Sequence, residues 1–153
     1  MDLQKFDIVL VVQNVFEMLE MTADKYQVSL KLEDNYPPIT VYADKKRIEQ
    51  VLINLVSNSI KYAKKNTTST VRIQKDTDTV LLCVNDHGDG IPKEHLPRVF
   101  ERFYRVESSR SREAGGSGLG LSIVKHIIET HNQKISVNSE IGKGSSFCFS
   151  LES

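Results

Sequence analysis

"NLVSNSIKY", residues 54–62, interrupts an apolar helical pattern with two asparagines one turn apart and a lysine just beyond. Asparagine side chains compete for nearby backbone groups, and the pair costs about 1 kcal/mol of helix propensity relative to alanine. The surrounding pattern runs from Asp44, an N-cap residue type, to about Ala63. On a wheel of about 3.6 residues per turn, Ile48, Val51, Leu52 and Leu55 form one apolar stripe, and Ile53, Val56 and Ile60 another. Arg47, Gln50, Asn54, Asn58 and Lys61 run between them. A polar row flanked on both sides by core-facing residues is poorly placed for a solvated face, although the wheel alone leaves that reading open. The other reading is the wall of a polar site. An amide carbonyl can bind a hard cation and a lysine can bind an anion. Magnesium keeps water and phosphate ligands and takes few from protein, so neutral amides suit a magnesium–nucleotide better than the free ion.

Outward from this helix, the chain alternates between helical and extended patterns. Ile8, Val11, Val12, Val15, Phe16 and Leu19 recur at helical spacing. "VSLKLE" (28–33) alternates as a strand, and Pro37-Pro38 turns the chain before a second short strand, "TVYA". "TVRIQKD" and "TVLLCVND" predict two more strands, joined by a turn around residues 76–78. A short helical patch covers residues 94–100, and the aperiodic polar segment 105–117 reads as a mobile loop. "GLGLSIVKHIIETHN" restores a helix, with Leu121, Val124 and Ile128 on one stripe and Ile123 and Ile127 beside it. "KISVNSEIGKGSSFCFSLE" predicts two final strands around a glycine turn. These elements imply one domain over 1–153: an α/β sandwich, a mixed β-sheet packed on one face by about three helices.

Composition narrows the function classes. The 153 residues suffice for a real core. Twenty basic residues balance twenty acidic ones, so no overall charge points to a nucleic-acid partner. No apolar run approaches the ~20 residues of a membrane span, and a cytoplasmic domain is expected; a parent protein anchored in a membrane is compatible with this. Cys83 and Cys148 both lie in strand-like runs and are expected to be separate buried thiols, with no zinc or disulfide framework.

Two glycine motifs carry further chemistry. "DHGDGIP" (86–92) sets Asp86 at a strand end with Gly88 and Gly90 close behind, where backbone can turn and a flat ligand can approach. A carboxylate there can accept from an exocyclic amine such as that of adenine, though D-x-G is also an ordinary turn. "GGSGLGL" (115–121) opens a helix, a place for an anion. It is neither a Walker loop nor a dinucleotide fingerprint.

In order, these stretches resemble the ATP-binding catalytic domain of bacterial sensor histidine kinases, of the GHKL superfamily with its Bergerat fold. "NLVSNSIKY" matches the N box, "DHGDGIP" the G1 box, "FERFYR" (100–105) the F box, "GGSGLGL" the G2 box and "GKGSSF" the last glycine turn. The resemblance implies ATP and Mg²⁺ as ligands, with Asn54 and Asn58 facing the metal and Asn58 the stronger ligand. It implies that Lys61 contacts phosphate, Tyr62 lies against adenine, Asp86 bonds the adenine amine, and Gly88 and Gly90 shape that pocket. Arg105 would approach the phosphates from the lid, with Phe100 and Phe103 anchoring its base. Backbone of Gly118, Leu119 and Gly120 would cradle the phosphates. Ser145 and Ser146 are equal candidates for a position near adenine. Ala63 departs from the family's usual serine or threonine, removing one hydroxyl contact.

In hydrolytic branches of the superfamily a glutamate occupies the position of Asn54. An amide cannot take a proton from water at neutral pH, so the resemblance implies transfer of the γ-phosphate to a histidine rather than efficient hydrolysis. None of His87, His95, His126 and His131 has the family's acceptor context. The acceptor is therefore expected on a separate dimerisation domain, with a response regulator served indirectly and the isolated domain monomeric with poor turnover. The alternatives are a nucleotide-sensing interaction module without transferase activity, and an anti-sigma-type serine kinase.

Overall fold

The computed structural model describes residues 1–104 and 120–153. Seven strands form one mixed sheet: β1 (Leu3–Asp7), β2 (Val28–Leu32), β3 (Thr40–Asp44), β4 (Thr67–Lys75), β5 (Thr79–Asp86), β6 (Ile135–Glu140) and β7 (Gly144–Glu152). The order is β1-β3-β7-β5-β4-β2, with β6 also paired to β7. One edge of β7 therefore meets β5 along its length, while the other is shared by β6 and, at Tyr42↔Glu152, by β3. Among the described residues only the β2–β4 pairing is parallel.

Helices α1 (Ile8–Tyr26), α2 (Lys45–Tyr62) and α3 (Gly120–Thr130) pack on one face of this sheet, and a 3₁₀ helix spans Lys93–Arg98. Each long helix starts on an aspartate. Asp7 accepts from the Val9 and Ile39 N–H groups at 3.0 and 3.1 Å, and Asp44 accepts from Arg47 N–H at 3.3 Å. These caps satisfy first-turn donors that no helical carbonyl reaches. The two apolar stripes of α2 are buried except for Ile53, which packs at the core margin. They meet alternate residues of the central strands, among them Val80, Leu82 and Val84 on β5 and Phe147, Phe149 and Leu151 on β7. Full burial of each large side chain contributes about 1.5–3 kcal/mol.

One element escapes the sequence reading and one expectation needs correction. β1 gives no period-2 signal, because LQKFD is an edge strand with only Phe6 buried. The cysteines are not separate thiols: Cys83 and Cys148 are directly opposed on β5 and β7 and joined in a disulfide. They stand 65 residues apart in sequence, and only the β5–β7 register brings them together.

Candidate functional site

The polar row of α2 changes character along the helix. Arg47 and Gln50 are exposed, and Arg47 turns back to the capping Asp44 carboxylate at 3.4 Å. One, two and three turns on, Asn54, Asn58 and Lys61 are half-buried. The Asn54 side chain donates from Nδ2 to the Gly120 carbonyl at 3.4 Å, tying α2 to the first residue of α3. Its Oδ1 stays available as an acceptor. Among the described residues, no protein group engages the side chains of Asn58 or Lys61. An amide oxygen and an ammonium thus line the same helix face without a partner among the described residues.

Asp86 closes β5 on the helix-covered side, following Val80, Leu82 and Val84 at alternate positions. Its Oδ1 accepts from Gly88 N–H at 2.9 Å. Burial pushes the Asp86 carboxyl up to about 6; the N–H groups of Gly88 and Ser145 and the charge of His87 pull the other way without offsetting it. A half-buried carboxylate on the edge of ionisation would gain from a donor that enters with a ligand.

The glycines of this loop first serve the protein's own backbone. A Cβ at Gly88 would collide with the Tyr62 carbonyl. The loop there is pinned to the end of α2 by the Ala63↔Gly88 bridge and by Lys64 N–H donating to the His87 carbonyl at 3.0 Å. Tyr62, the last residue of α2, is half-buried beside this junction. Gly90 has φ +81° and lies against the Glu140 backbone. Gly142 N–H donates to Asp89 O at 2.8 Å, and Ile91 N–H donates to Ser139 Oγ at 2.7 Å. The end of α2 and the loop after β5 are therefore joined at one corner, with Asp86 closing β5 and Asn58 and Lys61 on the last turns of α2.

Sequence left Ser145 and Ser146 equal; strand alternation separates them. Ser145 is paired with Asp86 and faces the helix side, where its Oγ meets Ser139 Oγ at 2.8 Å. Ser146 points to the open face and donates to Asn85 Oδ1 at 2.5 Å. Two residues to which the sequence assigned no structural contact tie these elements together. Ser139 Oγ joins the Gly90 loop to the β6–β7 turn, donating to Gly144 O at 3.0 Å. His131 accepts from Asp44 N–H through Nε2 at 3.0 Å while Nδ1 bonds the Ile127 carbonyl at 2.8 Å, linking the end of α3 to the start of α2. Neither had a spacing signal, because each contact spans distant segments or a helix end.

In the F box, Phe100 packs edge-on against Phe147, with ring centroids 6.0 Å apart. Phe103 does not anchor in the same way: it is 63% exposed with φ 64°. Arg98 stacks 4.6 Å from the Tyr104 ring, and His95 Nδ1 contacts the Tyr104 hydroxyl. Arg105, Gly118, Leu119 and the loop expected over 105–117 lie outside the described residues.

Residues 43–153, well over half the chain, match the histidine kinase-, DNA gyrase B- and HSP90-like ATPases. This chain belongs to that family. Within the family it is 39% identical over 94% of its length to the sensor histidine kinase YkoH of Bacillus subtilis, and 37% identical over 98% to the sensor-like histidine kinase SenX3 of Mycolicibacterium smegmatis. It spans only 30% and 39% of those two proteins. Its fold matches the catalytic domain of histidine kinase ThkA with a TM-score of 0.86 and 29% identity, covering 99% of this chain and 98% of that one. The likeness extends to ThkA solved in complex with the response regulator TrrA, with a TM-score of 0.81, 28% identity, and coverage of 98% of this chain and 41% of that one. The α/β sandwich read from sequence is thus the fold observed.

Proposed function

We propose that this chain is the catalytic ATP-binding domain of a sensor histidine kinase: it binds magnesium–ATP and presents the γ-phosphate to a histidine on a separate dimerisation domain. One observation carries the reading. The α2–β5 corner offers an ionisable carboxyl, Asp86, and an amide and ammonium, Asn58 and Lys61, that no described protein group engages. Asp86 would accept from the adenine amine, with Tyr62 and Ser145 beside it. Asn58 Oδ1 would ligate the magnesium ion, with Asn54 Oδ1 behind it, and Lys61 would neutralise phosphate charge. The residues fit such a load, since a cation carried in by phosphates needs only one or two oxygen ligands from protein. When bound, the ion supplies charge neutralisation between the phosphates. Gly120 begins a helix whose N-terminal end favours anions. Gly118, Leu119 and Arg105 would complete the phosphate contacts.

Phosphoryl transfer relies on positioning and electrostatic stabilisation rather than covalent help from the protein. The Asn54 amide, held on the Gly120 carbonyl, offers no general base for water, which favours a positioned histidine over hydrolysis. The name of YkoH and the ThkA–TrrA complex support a two-component role, with a response regulator downstream. No helix among the described residues is long and apolar enough to cross a membrane; the domain would act on the cytoplasmic side. The test adds a histidine-bearing dimerisation domain in trans with labelled ATP. Acid-labile, alkali-stable phosphate on that domain is expected. ATP binding without any such transfer would instead favour a nucleotide-sensing module.

A further inference from the structure

The sheet face away from the helices carries a second chemistry. Along β5 the residues Leu81, Cys83 and Asn85 point there, as do Ser146, Cys148 and Ser150 on β7. The disulfide lies in a row that crosses four strands: Arg72, Cys83, Cys148 and Ser136 are successive register partners. The Cys83 and Cys148 Cα atoms are 4.1 Å apart, near the ~4.5 Å of a non-hydrogen-bonded antiparallel pair. The two sulfurs differ in surroundings. Arg72 Nη2 donates to Cys83 Sγ at 3.5 Å, and Cys83 is 1% exposed. Cys148 is half-buried, and among the described residues its Sγ has the Ser146 hydroxyl beside it, also at 3.5 Å.

The next row connects this bond to the nucleotide corner. Ser146 Oγ, which touches Cys148, donates to Asn85 Oδ1, and Asn85 Nδ2 donates to Thr70 Oγ1 at 3.3 Å. One position further along the same two strands, Ser145 faces Asp86. The disulfide therefore pins the β5–β7 pair three residues from the proposed adenine carboxylate on each strand.

Resting on the nucleotide reading above, we propose that Cys83–Cys148 is a thiol-exchangeable clamp that sets the affinity of the cleft for adenine nucleotide. Oxidised, it fixes β5 against β7 beside Asp86; reduced by a low-molecular-weight thiol, it frees the pair and weakens binding. Disulfides in a reducing compartment are usually transient or redox-sensing rather than structural, and the polarity of this one favours exchange. A thiolate attacks the more exposed Cys148 Sγ, the S–S bond breaks, and its electron pair leaves on Cys83 Sγ, where the Arg72 guanidinium stabilises the thiolate. A second thiolate attacks the incoming sulfur of the mixed disulfide and releases Cys148. Two small thiols become one small disulfide, and each cysteine ends with a proton.

The experiment equilibrates the protein in oxidised or reduced glutathione buffers, quantifies free thiols by alkylation and mass, and titrates each form with a non-hydrolysable ATP analogue. The oxidised form is expected to bind about five- to tenfold more tightly, the lower end of typical coupling between sites. Cys83→Ser/Cys148→Ser should match the reduced protein in both buffers. Arg72→Gln should keep the disulfide but slow its reduction by about fivefold or more, a change that a merely structural role would not produce. Equal affinities of the two forms, or complete alkylation in oxidised buffer, would overturn the clamp. Reduction of Arg72→Gln at the wild-type rate would overturn the assigned direction of exchange. Absence of analogue binding in both forms would instead count against the nucleotide reading, and the clamp as its regulator would fall with it.

Discussion

The two faces of the sheet are built from the same strands and do different work. On β5, Val80, Leu82, Val84 and Asp86 meet the helices, while Leu81, Cys83 and Asn85 look outward. On β7, Phe147 and Phe149 are buried and Ser146, Cys148 and Ser150 are not fully covered. A shift of one residue changes the face, because side chains alternate along a strand. Neighbouring residues such as Ser145 and Ser146 therefore belong to separate environments. The covered face ends in a half-buried carboxyl and a helix corner, and the open face carries hydrogen-bonded polar residues around a disulfide. Substitutions on the covered face should cost stability or binding, and most on the open face should cost little.

The largest expected effect is on the covered core. Phe149→Ala removes a fully buried ring and should destabilise the fold by about 3–5 kcal/mol, read from urea unfolding midpoints. Next comes the helix corner. Asn58→Ala should abolish the gain in nucleotide affinity that magnesium confers while leaving the unfolding midpoint within about 1 kcal/mol of the wild type; an unchanged magnesium effect would remove Asn58 as the metal ligand. Asp86→Asn should weaken an adenine nucleotide by about tenfold or more, as for loss of a hydrogen bond to a charged group, and leave inorganic phosphate binding unaltered.

Proton linkage sharpens the same contrast. The Asp86 carboxyl is raised to about 6 in the folded protein from an ordinary value of 3.8. The folded state therefore holds this proton more tightly than the unfolded chain. The contribution of Asp86 to stability falls as pH rises from about 4 to 6 and is flat above that. Nucleotide affinity should move the other way, rising through pH 6 as the carboxylate that accepts from adenine forms. Asp86→Asn should flatten that rise. Asp44 has the opposite sign. Burial would raise its carboxyl, but the N–H groups of Asp2 and Arg47, the Arg47 guanidinium and His131 outweigh it and hold it low. Its contribution is present above the ordinary carboxylate range and is lost in acid. The smallest effect belongs to the open face: Gln74→Ala, which loses an exposed 3.3 Å contact with Arg72, should stay within about 0.5 kcal/mol.

Most of this division was legible in the sequence, and the exceptions share a cause. The apolar stripes of α2, the Asp44 cap and the central strands follow from periodicity and capping, which are local. β1 was hidden because LQKFD lies at an edge with only Phe6 buried and so has no alternation to read. The disulfide, the separation of Ser145 and Ser146 onto opposite faces and the His131 contact to Asp44 depend on strand register or on segments up to 87 residues apart. Local periodicity carries no register information. The wheel also gave the α2 row a single character, whereas Arg47 and Gln50 are exposed and Asn58 and Lys61 are half-buried. Depth along a helix is set by what packs over it, which the helix's own periodicity does not encode.

The central claim is that the corner between α2 and β5 is a magnesium–nucleotide site. Calorimetric titration of the chain with a non-hydrolysable ATP analogue, with and without Mg²⁺, tests it most directly. Saturable binding that magnesium strengthens is the predicted result. No heat of binding from a protein whose cooperative unfolding shows it to be folded would contradict the claim.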